Sequence, residues 1–349
     1  MARRLLLRKC CISKNSNAEP SAALKIVLRE FGGLGNQFFR YAALRYYAKR
    51  YGAEMTISVD PEWNAQSFGY PRPCLLQHYS IPAPMEERSL SERIFFTEKP
   101  WLQAASAPVA RAMRRQVFVQ RPCHRYLFSP DVPLRRNTET LYLLGYWHTY
   151  TMVDKVADEL RSELTLKQPA RGENLELLER IRRSHSVSLH VRRGDCKHPE
   201  TLRVELPFEY YANAISRVKE RLGSPTFFVF SDDIPFAKKY LPQNIRAVFV
   251  DHNDDFNAHE DMRLMSSCHH HIIANSTFSW WGAWLNPRLD KIVIAPKQWD
   301  VRENSYYPEL LPPGWMVMDI ASPYRFGRHS HSHEQQELLA RESSSLCGA

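Results

Sequence analysis

At 349 residues, 44% apolar and 24% charged, the chain has the composition of a globular protein with material for one large or two medium domains. Its formal net charge is +9, but Arg3, Arg4, Arg8, Lys9 and Lys14 supply five of the positives. The remainder is only mildly basic, which suits an anionic small substrate or a membrane surface and does not require nucleic acid. No run approaches the ~20 apolar residues of a transmembrane helix, and seven cysteines without a CxxC spacing point to a reducing compartment rather than a disulfide scaffold.

Residues 1–22 read as a disordered basic arm, with too short an apolar stretch for a signal peptide. The expected location is cytoplasmic, with peripheral association at the inner face of a membrane open to this arm. LKIVLRE (24–30) is a buried strand and FGGLGNQ (31–37) a glycine-rich turn. Phe39, Ala43, Tyr46 and Tyr47 then fall at helical spacing, which predicts a helix over 38–52 stopped by Gly52. EMTISVD (54–60) alternates as a second strand and completes a βαβ unit. Gly33 and Gly35 satisfy GxG, but Phe38 stands where a dinucleotide fingerprint needs its third glycine. The turn still brings several N–H groups to a helix start, an anion or sugar site; a plain tight turn is the alternative. Residues 61–137, rich in proline and arginine, read as loops and short helices lining an acceptor cleft. TLYLLGYW (140–147) is a strand, 151–164 a helix, 166–174 a linker and 173–184 an amphipathic helix.

The centre of the chain is SVSLHVRRGDCKH (186–198). Val187, Leu189 and Val191 alternate with Ser188 and His190 as in a half-buried strand, which runs into Arg192, Arg193, Gly194 and Asp195. Adjacent arginines at a strand's carboxyl end suit a phosphate-like ligand; a strand end salt-bridged to a neighbouring helix by Asp195 is the alternative. Beyond it, Phe208, Tyr211, Ile215, Val218 and Leu222 mark a helix, and TFFVF (226–230) is a strand ending in Ser231, Asp232 and Asp233. A helix to Tyr240, strand 246–250, helix 259–268, strand 270–274, a helix within 274–286 and strand 291–296 follow. Strands alternating with helices argue a parallel doubly wound sheet. The expected organisation is an N-terminal domain over 23–165, a C-terminal domain over 170–320 and a loose tail over 324–349.

Three strand ends here carry polar clusters: His190–Asp195, Ser231–Asp233 and Asn275–Thr277. A parallel sheet puts all three on one edge. Ser276 and Thr277 open a helix whose N–H groups favour an anion, and Asp232 or Asp233 suits the donor edge of a base such as guanine. Taken singly, each of these four is an ordinary helix cap; their convergence favours a nucleotide-diphosphate site. Phe278, Trp280, Trp281 and Trp284 read as core. His269–His271 and His329, His331 and His333 read as non-ligands, and no metal site is expected.

GGLGNQ (32–37), HVRRGD (190–195), FSDD (230–233) and DMRLMSSCHHHIIANSTFSWWGAWLN (261–286) resemble the α-1,2-fucosyltransferases of glycosyltransferase family 11, over roughly residues 24–300. The resemblance implies an α/β GT-B fold of two Rossmann-like domains facing a cleft, with GDP-β-L-fucose as donor and no metal or other cofactor. It implies inverting transfer to the 2-hydroxyl of a galactose-containing glycan. It makes Arg192 the β-phosphate ligand, Arg193 a support of its loop, and His190 with one of Asp232 and Asp233 guanine contacts. Ser276, Thr277 and Phe278 become the pyrophosphate-side turn. Gly33, Gly35, Asn36 and Gln37 lie on the acceptor side, with Asn36 and Gln37 near the reacting sugar. A carboxylate five residues beyond Asp195 looks like the base of a related fucosyltransferase class, which makes Glu200 the candidate; its alternative is an exposed loop glutamate. Cys196 departs from the tyrosine that usually follows RRGD. The rival readings are an NAD-dependent oxidoreductase built on GGLG and Asp60, and a basic nucleic-acid-binding protein. The missing glycine and the unexplained RRGD oppose the first, and the lack of a binding module the second.

Overall fold

A computed structural model describes residues 23–59, 72–89, 92–93, 100–120, 126, 128–129, 131–193, 205–299 and 307–320. Its first half runs β1 (Lys25–Arg29), α1 (Leu34–Tyr51), β2 (Glu54–Val59), a 3-10 turn (Leu76–His78), β3 (Met85–Glu87), α2 (Pro100–Ala112), β4 (Arg115–Val119), β5 (Thr140–Leu144), α3 (Tyr150–Asp154) and α4 (Ala157–Glu163). The five strands form a wholly parallel sheet in the order β3-β2-β1-β5-β4. Alternation along β1 assigns its two faces: Ile26 and Leu28 pack against α1, while Val27 joins Phe31, Tyr142 and Leu144 on the other side. Gly52 stops α1 as expected, in the left-handed region at φ 61, with its N–H donating to Ala48 O.

Three expectations are corrected in this half. Helix α1 begins at Leu34, so Gly35, Asn36 and Gln37 lie in its first turn and not in a loop. Residues 61–137 contain two strands as well as loops and helices. Of these β3 has three residues, and β4 is an edge strand with a buried polar residue, Gln116, whose amide bonds Pro133 O and Arg135 N. Short edge strands carry little hydrophobic alternation to read. The single helix expected over 151–164 is two, broken at Lys155–Val156.

The second half runs α5 (Gly172–Arg182), β6 (Ser186–Val191), α6 (Phe208–Leu222), β7 (Thr226–Ser231), α7 (Ile234–Tyr240), β8 (Arg246–Val250), α8 (Ala258–Ser267), β9 (His270–Ile272), α9 (Thr277–Leu285), β10 (Val293–Pro296) and β11 (Met316–Met318). These strands form a second parallel sheet, ordered β11-β10-β9-β6-β7-β8. The central strand β6 is buried along its whole length, not half-buried. Helices cover both faces of a parallel sheet, so its serines need internal partners. Ser188 finds one in His271 Nδ1 at 2.8 Å.

In both sheets the strand order reverses once beside the strand that comes first in the chain, between β1 and β5 and between β6 and β9. Such switch points open a crevice at the carboxyl ends of the strands. The two halves share a core there. Phe38 and Phe39 of α1 pack edge-on and tilted against Trp280 and Trp281 of α9, with ring centroids 4.6–5.4 Å apart. The aromatic run of α9 is therefore core, and specifically the core between the sheets.

Candidate functional site

The site grows from the residues that leave the two switch points. From β6 comes Arg192, whose Nη1 donates to Ser276 Oγ at 3.2 Å. Ser276 follows β9 and caps α9, its Oγ also accepting from Phe278 N at 3.3 Å. One hydroxyl thus joins the arginine to the positive end of a helix, the combination that favours a phosphate. His190 lies one residue inside the strand, buried, with its ring 6.0 Å from that of Phe278.

Arg193 is turned to other partners. Its N–H donates to Asp232 Oδ1 at 2.8 Å, and its guanidinium reaches Glu205 at 2.6 Å and Asp233 at 3.5 Å while lying over the Phe236 ring. Asp233 also caps α7 by accepting from Phe236 N. Both aspartates, one of which was expected to read a base, thus hold the arginine loop.

The other rim comes from β1 and β5. Gly35 meets the N-terminus of α9 so closely that a Cβ would stand 2.4 Å from Thr277 C and 2.5 Å from Phe278 N. Only a residue without a side chain permits this helix–helix approach. Asn36 Oδ1 is then shared: Thr277 Oγ1 donates to it at 3.0 Å, and His148 Nε2 lies 3.1 Å away. His148 leaves the β5 end, buried against Phe39, Tyr126 and Tyr146. Gln37 does not face the cleft as a ligand group would. Its Nε2 donates to Gly32 O and Pro73 O, both at 2.8 Å, and its Oε1 accepts from Leu75 N at 3.0 Å, so the amide clamps the glycine turn to the 73–75 segment.

Two charged groups complete the cleft. The Arg72 guanidinium lies beside Gly33, the N-cap of α1. Asp255, half-buried in the β8–α8 loop, has its carboxyl raised by burial, opposed by Arg72 and more weakly by Arg192. His148, Arg72 and Asp255 were missed in the sequence; only His148 left a signal, as a polar residue just past a strand. Glu200, Asp195 and Cys196 lie outside the described residues, as does Asp60.

Among the described residues no three His, Cys, Asp or Glu side chains are grouped as a metal site. His271 is held by Ser188 and Asn286 and kept neutral by burial, and His270 Nδ1 accepts from Ile292 N. Among these residues no helix is long and apolar enough to cross a membrane.

A family model described as Glycosyl transferase family 11 matches residues 111–318. An α-1,2-colitosyltransferase of Escherichia coli is 32% identical over 84% of this chain and 99% of its own length. Galactoside α-(1,2)-fucosyltransferase 2 of Sus scrofa is 25% identical over 78% of this chain and 73% of its own. Among solved structures, the NodZ α-1,6-fucosyltransferase soaked with GDP-fucose matches 78% of this chain and 95% of its own at 16% identity, with a TM-score of 0.45.

Proposed function

The chain belongs to glycosyl transferase family 11, and from that membership we propose that it transfers L-fucose from GDP-β-L-fucose to the 2-hydroxyl of a galactose-containing glycan, with inversion. The observation that carries the reading is the junction of the two switch points, where Arg192, Ser276 and the α9 N-terminus converge opposite Asn36. In the transfer, the acceptor O2 attacks the anomeric carbon as the bond to the β-phosphate oxygen breaks. Arg192 and the N–H groups of α9 take up the charge that gathers on the departing diphosphate, the kind of stabilisation that usually dominates such chemistry. Asn36, held by Thr277, orients groups at the reacting sugar. The hydroxyl proton passes to Glu200, or to the leaving phosphate. His190 borders the guanine, and Phe278 belongs to the turn on the pyrophosphate side. With arginine and helix dipole as counter-charge, no metal ion is called on. A cytoplasmic enzyme with its basic arm at a membrane's inner face belongs to the same proposal, supported by cysteine usage and the charge of residues 1–22.

The test incubates the protein with GDP-fucose and terminal β-galactosides and establishes the product linkage by NMR. An α-1,2-fucosylated product is expected. Transfer from nucleotide-activated colitose alone, the donor sugar suggested by the 32% identical relative, would overturn the fucose assignment. No product from either donor on any galactoside would overturn the acceptor class.

A further inference from the structure

Gly33 has an ordinary extended backbone, φ −71 and ψ 163, which any residue adopts. What the position meets is a guanidinium. A Cβ there would lie 3.3 Å from Arg72 Nη1 and 4.0 Å from its Cδ and Cζ. The guanidinium therefore occupies the space over the N-cap of α1. That end of a helix carries partial positive charge, and a cation rests there at a cost unless an anion offsets it. Asp255 is an anion whose carboxyl feels the Arg72 charge. It comes from the opposite domain, is half-buried, and interacts with both Arg72 and Arg192. One carboxylate thus lies in the field of an arginine from each rim, and the two rims meet where Gly35 touches Thr277.

We propose that Arg72 is a donor-binding residue: in the complex its fork turns from the N-cap of α1 to the diphosphate on Arg192, so that one guanidinium from each domain holds the leaving group. The inference rests on the reading of the cleft as a nucleotide-diphosphate site. A diphosphate carries more charge than Asp255 and accepts bidentate hydrogen bonds from both arginines, so it displaces the carboxylate. Asp255 then acts as a placeholder whose charge offsets the two arginines when the donor is absent and competes with the donor for them.

The experiment measures binding of GDP and, separately, inorganic pyrophosphate to the full chain by calorimetry. Arg72→Ala should weaken both roughly tenfold or more, the scale of a lost charge-assisted bond. Arg72→Gln, which keeps the length of the side chain, should show a similar loss, with melting temperatures matched to the wild type. Asp255→Asn should tighten both ligands in the wild-type background and have little effect once Arg72 is alanine. Unchanged affinities in both Arg72 variants would overturn the proposal, as would weaker binding in Asp255→Asn or failure of the wild type to bind either ligand. Arg72-dependent pyrophosphate binding by a protein that transfers no fucose would leave this inference standing and overturn the proposed function. Fucose transfer with an unchanged donor KM in Arg72→Ala would do the reverse.

Discussion

Arg192 and Arg193 leave β6 side by side, yet one reaches across to the cap of α9 and the other folds back onto Glu205, Asp233 and Phe236. Arg192→Ala should abolish transfer with circular dichroism unchanged, and Arg192→Lys should restore little, because a point charge does not replace a planar fork. Arg193→Ala should act mainly on stability, by about 1–2 kcal/mol, since its partners are a half-exposed ion pair and a ring face. Chemical denaturation beside a rate assay separates the two. For the base, Glu200→Gln should lower kcat ~100-fold with GDP affinity kept; an unchanged kcat would leave the proton to the phosphate. Asp261 supports a pH prediction. Burial pushes its carboxyl from the usual 3.8 to about 7, with Asn253 donating to it. The folded state then binds the proton more tightly than the unfolded one, so stability falls as pH rises from about 4 to 7. Glu30, also raised to about 7 by burial, adds the same sign. Asp261→Asn keeps the acceptor for Asn253 and should flatten, without abolishing, that slope in melting curves between pH 4 and 7. At this scale the sequence showed the strand-end arginines, and the family resemblance gave Arg193 to the support of the loop, but not the groups that hold it there. Which carboxylates surround a guanidinium depends on segments tens of residues away.

At the scale of elements, the junction of α1 and α9 is the sharpest constraint. Gly35 costs α1 about 1 kcal/mol relative to alanine in an ordinary helix. Here Gly35→Ala would force backbone apart, because the atoms in the way are the Thr277–Phe278 peptide and not a flexible side chain. It should lower stability by about 1–3 kcal/mol or more and reduce transfer sharply, through the shift of α9 under Ser276. Gly52→Ala is the control. It has open space but a φ of 61, so a loss of about 1–2 kcal/mol with normal activity is expected. An active, stable Gly35→Ala protein would show that the helices approach less closely. The turn–helix boundary was misread because glycine pairs usually end helices; here they begin one for the sake of a neighbour. The aromatic run of α9 was legible as core, but not as the core shared by both sheets.

For the whole molecule, two parallel sheets present their switch points to one cleft, and the proposed counter-charges are all side chains or helix ends. Excess EDTA should therefore leave the transfer rate unchanged, and activity lost to EDTA but restored by Mn²⁺ or Mg²⁺ would refute this. The sequence by itself determined the α/β class, most strands and helices of residues 172–296, and the positions of Arg192 and Ser276. These depend on hydrophobic periodicity and on what a strand end or helix cap does locally. Only the tertiary structure decided that Gly35 is a contact between helices, that Gln37 is a clamp, and that Asp232, Asp233 and Glu205 are what hold Arg193. It alone brought His148, Arg72 and Asp255 to the cleft. The reason is physical: packing and Coulomb interactions join residues up to 241 positions apart, as at Asn36 and Thr277, and no local pattern records which distant group fills a given space.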